Sequence, residues 1–207
     1  MAKNRNVRFT TDVGTAQWPH LNTPDTQFNK DGVFHVSLRL TKEQAEPLTN
    51  KMSEVLEEFS KTDRAKSKKT APFPVKDVED DDGNPTGEVQ IKFKLNAVGI
   101  NGADRWEQRP VLFDAGGKPM SENIGGGSRI KVGAEIVPYS TAMAGTGVTL
   151  RLKAVQVIEL IEYTKGGGFD AWEFSKQEGF VTDGYSKEQE AKVEETADPQ
   201  HQSGFDF

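Results

Sequence analysis

Hydrophobic and polar residues alternate in four long segments of the chain, the pattern of a β-strand with one buried face. The segments are DGVFHVSLRLT (31–41), EVQIKFKLNAVG (88–99), GGSRIKVGAEIVPY (126–139) and GVTLRLKAVQVIEL (147–160), and RPVLFDAGG (109–117) contains a shorter strand. After the first strand, apolar residues recur at helical spacing behind a capping box of Thr41 and Gln44. Five strands and one helix predict a small closed β-barrel.

Three of the long strands carry a pair of basic residues opposite the apolar ones. The pairs are Lys92 and Lys94, Arg129 and Lys131, and Arg151 and Lys153. Isolated lysines on a strand are usually solvated positions without a further role. Three matching pairs instead predict a positive groove on the barrel that follows a phosphate backbone, provided that the pairs converge.

Two aromatic residues near turn signals are candidates for stacking on nucleic-acid bases. Trp106 follows GADR, and Tyr139 lies in VPYS. Either ring could instead pack in the core or at its rim, and the sequence leaves both alternatives open.

A strongly basic segment precedes a strongly acidic one in the middle of the chain. The segment KTDRAKSKKTAPFPVK (61–76) is predicted to be a loop, and it contains Arg64, Lys66, Lys68 and Lys69. The following DVEDDDGNPTGE imitates an EF-hand through Asp77, Glu79, Asp81 and Glu88. Its glycine comes one position too late and a strand follows it, so no calcium site is expected.

Motifs for catalysis or for a cofactor are missing from the sequence. The chain has no cysteine, and its three histidines (His20, His35, His201) are far apart along the chain, so no metal site is expected. The stretch IGGGSRIKVG lacks the pattern of a phosphate loop, and no nucleophile elbow or zinc-protease motif is present. We therefore expect no enzyme and no cofactor.

Charge is distributed unevenly along the chain. Residues from 178 onward hold eight acids and two bases, a net charge of −6 that equals the charge of the whole chain. The preceding residues hold 24 bases and 24 acids, so their basic groups remain available to an anionic partner. The acidic segment has few apolar residues and is expected to be a disordered tail. The N-terminus lacks a signal-peptide pattern and no apolar run spans a membrane, so a cytoplasmic protein is expected.

Several strings resemble the single-stranded DNA-binding replication protein of short-tailed, podovirus-type bacteriophages. They are FPVKDVEDDDGNPTGEVQIKFKL, PVLFDAGGKPMSENIGGGSRIKVGAEIVPY, VTLRLKAVQVIELIEYTKGGG and the final DF. The resemblance extends from about residue 73 to 185, and the IGGGS to VPY string is its most specific part. It implies an OB-fold, a five-stranded Greek-key barrel with one packed α-helix, together with a basic DNA cleft and an acidic C-terminal tail.

The resemblance also implies which residues act. It carries over to Lys3, Arg64, Lys66, Lys68, Lys69, Lys92, Lys94, Arg129, Lys131 and Tyr139 as DNA-binding residues, and the strand and turn patterns add Trp106, Arg151 and Lys153 to the expected set. The tail would contact the phage DNA polymerase and primase-helicase through Glu194, Glu195, Asp198, Phe205, Asp206 and Phe207. This tail is less densely acidic than the family pattern and contains two lysines.

The expected organisation is therefore an OB-fold single-stranded DNA-binding domain (1–175) followed by a flexible acidic tail (176–207). The expected function is sequence-independent binding of single-stranded DNA in phage DNA replication, recombination and repair, in the cytoplasm of the infected bacterium. Alternatives are an OB-fold scaffold for other proteins, or a general binder of nucleic acids that include duplex DNA or RNA. A homodimer is kept open as a further partner.

Overall fold

The computed structural model describes residues 6–163, which form a mainly β fold with one helix. The helix is α1 (Lys42–Ser60). The strands are β1 (Val7–Thr10), β2 (Gly14–Asp25), β3 (Val33–Thr41), β4 (Val75–Glu79), β5 (Pro85–Asn96), β6 (Val98–Asn101), β7 (Asp104–Glu107), β8 (Val111–Phe113), β9 (Arg129–Thr141) and β10 (Gly145–Glu159).

Five of these strands close into a barrel. The hydrogen-bonded order is β2, β3, β5, β10 and β9, and β9 pairs again with β2 to complete the ring. The β5 and β10 strands run parallel, and the other neighbours are antiparallel. This arrangement is an OB-fold, as predicted.

The interior of the barrel is filled by the alternating apolar residues on which the strand predictions rested. Phe93, Ile91, Ile130, Leu150 and Leu152 are fully buried there. The helix contributes Leu48, Met52 and other apolar residues to the same core, and it contacts four of the barrel strands. Thr41 caps the helix, and Gln44 completes the predicted capping box. Burial of these side chains provides most of the driving force for folding.

The fifth strand of the barrel differs from the sequence prediction. The short strand in RPVLFDAGG is β8, which pairs with the far end of β10 and does not close the barrel. The closing strand is β2, in a segment whose two prolines and many polar residues conceal its alternation. Its pairing with β3 contains two irregularities, where extra residues of β2 interrupt the alternation of inward and outward side chains.

Among the described residues, no helix has both the length and the apolar character that crossing a membrane requires.

Candidate nucleic-acid interface

Three cations lie together on the outer face of the barrel, and we call Lys92, Lys94 and Arg151 the central cluster. Lys94 is the cross-strand partner of Arg151 on β10, and Lys92 lies on the same face two residues earlier in β5. Neighbouring strands are about 4.8 Å apart, so the three cations share a patch roughly 10 Å across. All three side chains are exposed. The patch can therefore contact consecutive phosphates of a nucleic-acid strand.

One acid partly compensates this cluster. The Glu135 carboxylate lies 3.7 Å from Nη1 of Arg151 and 3.9 Å from Nε of Arg8. It also accepts a hydrogen bond of 3.3 Å from Nδ2 of Asn6. Because Glu135 is shared by two arginines, the central cluster keeps a net positive charge. The same carboxylate holds Arg151 in place.

The two basic residues on β9 lie away from this cluster. Arg129 pairs with Thr15 of β2, and its Nη1 donates to Oγ1 of Thr15 at 3.3 Å. Lys131 is opposite Gln156, near the far end of β10. On β10, Lys153 is exposed at a bulge two residues beyond Arg151. The structure therefore brings together only part of the three predicted pairs, because β9 lies on the opposite side of β10 from β5.

The sequence analysis missed two cations that lie near the cluster. Arg39 is opposite Gln90 of β5, and Gln90 is in turn opposite Lys76 of β4. Nε of Arg39 is buried without a hydrogen-bond acceptor, since the nearest carboxylate oxygen, on Glu88, is 3.6 Å away. Glu88 therefore offsets part of the charge of Arg39, and the buried Nε is closed to an external anion. The alternation in β3 already placed Arg39 on the polar face of that strand, so the sequence could have identified it as a candidate.

The basic loop, residues 61–74, is fixed to the hairpin formed by β9 and β10. The backbone amide of Ser67 donates to Oγ of Ser140 at 3.1 Å, and the Thr146 hydroxyl donates to the Ser67 carbonyl at 2.7 Å. The backbone amide of Thr146 also donates to the carbonyl of Lys69 at 2.7 Å. These bonds hold the exposed predicted cations of the loop beside β9: Arg64, Lys66, Lys68 and Lys69.

Both predicted stacking residues cover a glycine on the neighbouring strand. Tyr139 is opposite Gly147, and a Cβ at Gly147 would lie 3.0 Å from the tyrosine oxygen. Trp106 is opposite Gly99, where a Cβ would lie 2.3 Å from the indole. Tyr139 is half-buried, whereas Trp106 is 47% exposed on the β6–β7 hairpin, outside the barrel. A side chain at either glycine would collide with the neighbouring ring, so each glycine leaves room for that ring.

A third aromatic residue, Trp18, was missed by the sequence analysis. It is 66% exposed, and its φ of 46° places it in the left-handed region, which costs a non-glycine residue roughly 1–2 kcal/mol. It lies in β2 between Gln17 and His20, whose partners on β3 are Ser37 and His35. One strand, β3, separates Trp18 from β5, which carries two residues of the central cluster.

Two histidines that are distant in sequence are neighbours in the structure. His20 and His35 are cross-strand partners with ring centroids 4.8 Å apart, and Nε2 of His35 is 3.4 Å from Oδ2 of Asp25. Burial lowers the pKa of His35 below its ordinary value, although the hydrogen bond with Asp25 acts in the opposite direction. The expectation that the histidines are too scattered to share a site is therefore wrong for this pair.

The acids that imitate a calcium loop belong to a β-hairpin of β4 and β5. Nζ of Lys42 lies 2.8 Å from Asp77, and Arg39 lies beside Glu88, so these two acids have separate basic partners. Asp80 accepts backbone hydrogen bonds from Asp82 and Asn84, which lower its pKa and fix the turn.

Several predicted residues lie outside the described part of the chain. They are Lys3 and the tail residues Glu194, Glu195, Asp198, Phe205, Asp206 and Phe207. The proposed boundary at residue 175 also lies there, and these predictions stay predictions.

Comparison with known proteins finds similarity to single-stranded DNA-binding proteins of bacteriophages. The chain is 39% identical over 92 residues to the single-stranded DNA-binding protein of Escherichia phage T7, and 38% identical over 98 residues to that of Enterobacteria phage T3. Each match covers 42% of this chain. It covers 39% of the T7 protein and 42% of the T3 protein, so the chain matches about two fifths of the length of these relatives. No family model matches.

Solved structures show the same fold. The crystal structure of the single-stranded DNA-binding protein of bacteriophage T7 matches with a TM-score of 0.60 and 24% identity, over 86% of this chain and 100% of that one. The single-stranded DNA-binding protein of bacteriophage Enc34 in complex with single-stranded DNA matches with a TM-score of 0.54 and 18% identity, over 75% of this chain and 88% of that one. Both curated relatives bear the name of a binding protein, in agreement with the expectation of no enzyme. These comparisons confirm the resemblance of the chain to the single-stranded DNA-binding proteins of bacteriophages.

Proposed function

We propose that this protein binds single-stranded DNA of a bacteriophage without sequence specificity, along the outer face of β3, β5 and β10. The observation that carries the proposal is the central cluster, in which Lys94 and Arg151 are cross-strand partners beside Lys92. Lysine and arginine neutralise phosphates whatever the base sequence is.

The surroundings of the cluster support a path for the strand. The basic loop is held beside Tyr139 near one end of the face, and Trp18 is exposed beside β3 on another side. A nucleic acid that crosses the central cluster would meet cations for its phosphates and ring faces for its bases. Stacking on such rings is sequence-tolerant, because every base has a flat face.

The finer parts of the proposal rest on the resemblance and on the charge of the tail. We place the protein in phage DNA replication, recombination and repair, in the cytoplasm of the infected bacterium. The domain of residues 1–175 would bind DNA, with Lys3, Arg129, Lys131, Lys153 and Trp106 as further contacts. The tail, residues 176–207, would recruit the phage DNA polymerase and primase-helicase, and self-association into a homodimer is part of the same hypothesis.

Binding to labelled oligonucleotides at two salt concentrations tests the proposal. We expect the full-length protein to prefer single strands of unrelated sequence to blunt duplex. With about four to six phosphates neutralised, log K against log salt should have a slope of about −3 to −4, at about −0.7 per phosphate. Equal affinity for duplex or RNA would favour the general nucleic-acid binder. Affinity that salt does not change would refute the cationic surface and favour the scaffold alternative.

A further inference from the structure

We infer that His20, Asp25 and His35 form a binding site for a divalent transition-metal ion of the zinc type. One potential ligand atom from each residue can be chosen so that all three lie within 4.8 Å of one another. None of the three residues belongs to the cationic or aromatic sets described above, although His35 is the cross-strand partner of Lys94.

The chain builds this cluster by breaking the regular pairing of β2 with β3. Gln17 is opposite Ser37, and regular pairing would then place Pro19 opposite His35. One extra residue in β2 instead brings His20 opposite His35. This bulge includes Trp18, whose φ of 46° is a strained conformation. Backbone strain of this kind tends to occur at functional sites, and here it aligns the two imidazoles.

A second irregularity supplies the carboxylate. Three more residues of β2 are accommodated between His20 and Asp25, so that Asp25 lies opposite Val33. Val33 and His35 are two residues apart and share one face of β3. The side chain of Asp25 is further fixed by a hydrogen bond of 2.9 Å from the backbone amide of Gln27 to its Oδ1, which leaves Oδ2 directed at His35. Both irregularities are needed to bring the three side chains together.

The distances suit a tetrahedral ion. Zinc lies about 2.1 Å from nitrogen and oxygen ligands, so two ligands of a tetrahedral site are about 3.4 Å apart. The atoms Nε2 of His35 and Oδ2 of Asp25 are already 3.4 Å apart. An ion between them would replace the proton of their hydrogen bond. The three ligand atoms lie within 4.8 Å of one another, so the exposed ring of His20 has to approach by at most about 1.4 Å.

The donor atoms select the class of metal. Two imidazoles and one carboxylate suit zinc and its first-row neighbours, whereas magnesium and calcium prefer a shell made of oxygens. The side chains of His35 and Asp25 are only 17% and 27% exposed, so solvent competes weakly for them. Three protein ligands leave a fourth position for water or another ligand.

Two neighbouring lysines limit the affinity of the site for a metal ion. Lys94 is the cross-strand partner of His35, and Lys92 is the next residue on the same face of β5. Both cations repel a dication, although both are exposed and therefore screened by solvent. Asp25 is the acid that offsets them within the cluster, so its loss should weaken binding as strongly as the loss of a histidine.

Titration of the full-length protein with Zn²⁺ alone tests the site, and the third histidine supplies a matched control. We expect one zinc ion per chain in the wild type and in His201→Ala. Binding should weaken by at least about tenfold in His20→Ala, in Asp25→Asn and in His35→Asn. Mg²⁺ at equal concentration should not displace zinc. Because no DNA is present, failure of the proposed function leaves this result unaffected.

The inference is overturned if the three variants bind zinc as the wild type does, or if His201→Ala is the variant that loses it. It is also overturned if Mg²⁺ competes equally. His20→Ala decides the question should His35→Asn fail to fold, since His20 is exposed and its removal leaves no cavity. Circular dichroism of each variant without metal establishes that the fold is intact.

Discussion

Replacement of both lysines of the central cluster is the most direct test of the DNA-binding surface. Lys92 and Lys94 are exposed on β5, and no carboxylate of the described residues forms an ion pair with either. Lys92→Ala with Lys94→Ala therefore removes two full charges and leaves the core untouched. Arg151 is less suitable, because Glu135 already compensates part of its charge.

The size of the effect follows from counterion release. Each phosphate contact with a single strand contributes about 0.7 to the slope of log K against log salt, so the double variant should lose about 1.4 from the slope. Between 1 M and 0.1 M salt, this loss corresponds to about 1.4 log units, or about 25-fold in affinity at the lower concentration. A 25-fold change is about 1.9 kcal/mol.

Fluorescence anisotropy of a labelled oligonucleotide across this salt range gives the slope directly. The matched control is Lys42→Ala with Lys51→Ala, which removes the same charge from helix α1, where Lys42 lies 2.8 Å from Asp77 and Lys51 lies 2.7 Å from Glu54. If the control changes the slope as much as the β5 variant, net charge and not this surface governs binding. An unchanged slope in the β5 variant would refute the assignment of the central cluster.

Three further predictions concern the aromatic rings, the tail and the helix. Tyr139→Ala should weaken single-stranded DNA binding by about 1–3 kcal/mol, whereas Tyr139→Phe, which keeps the ring on Gly147, should not; a melting temperature that falls as in a core deletion would assign the ring to packing alone. Removal of residues 186–207, which carry six acids and two lysines, should tighten DNA binding at low salt but not at high salt, and an unchanged affinity at low salt would contradict competition by the tail. Thr41→Ala should lower the free energy of unfolding by about 1 kcal/mol in urea titrations, since the capping hydrogen bond is lost; no loss would mean that the cap contributes nothing.

The strands of the barrel were predictable where one face is apolar without interruption. In β5, Ile91, Phe93 and Leu95 are buried and the lysines between them are exposed, as the alternation indicated. The capping box likewise predicted the start of α1. Local patterns of this kind depend only on residues close together in the sequence, so they can be recognised without knowing which strand is the partner.

The closing strand and the meeting of distant residues were not predictable in the same way. In β2, the bulge at Trp18 shifts the period, so a window of fixed alternation does not detect the strand. Whether Arg129 lies near Lys92 depends on which strands are neighbours in the barrel. The proximity of His20 and His35 depends on the register of one pairing. Neither property is encoded in the spacing of residues along one segment.

The attachment of the basic loop has a thermodynamic consequence for ligand binding. Ordering one residue of a flexible segment costs about 1–2 kcal/mol of conformational entropy. Because Ser67, Ser140 and Thr146 already hold this loop, that cost belongs to folding of the protein and not to capture of a strand. The cations of the loop are therefore preorganised, and association is less opposed by entropy than it would be with a mobile basic arm.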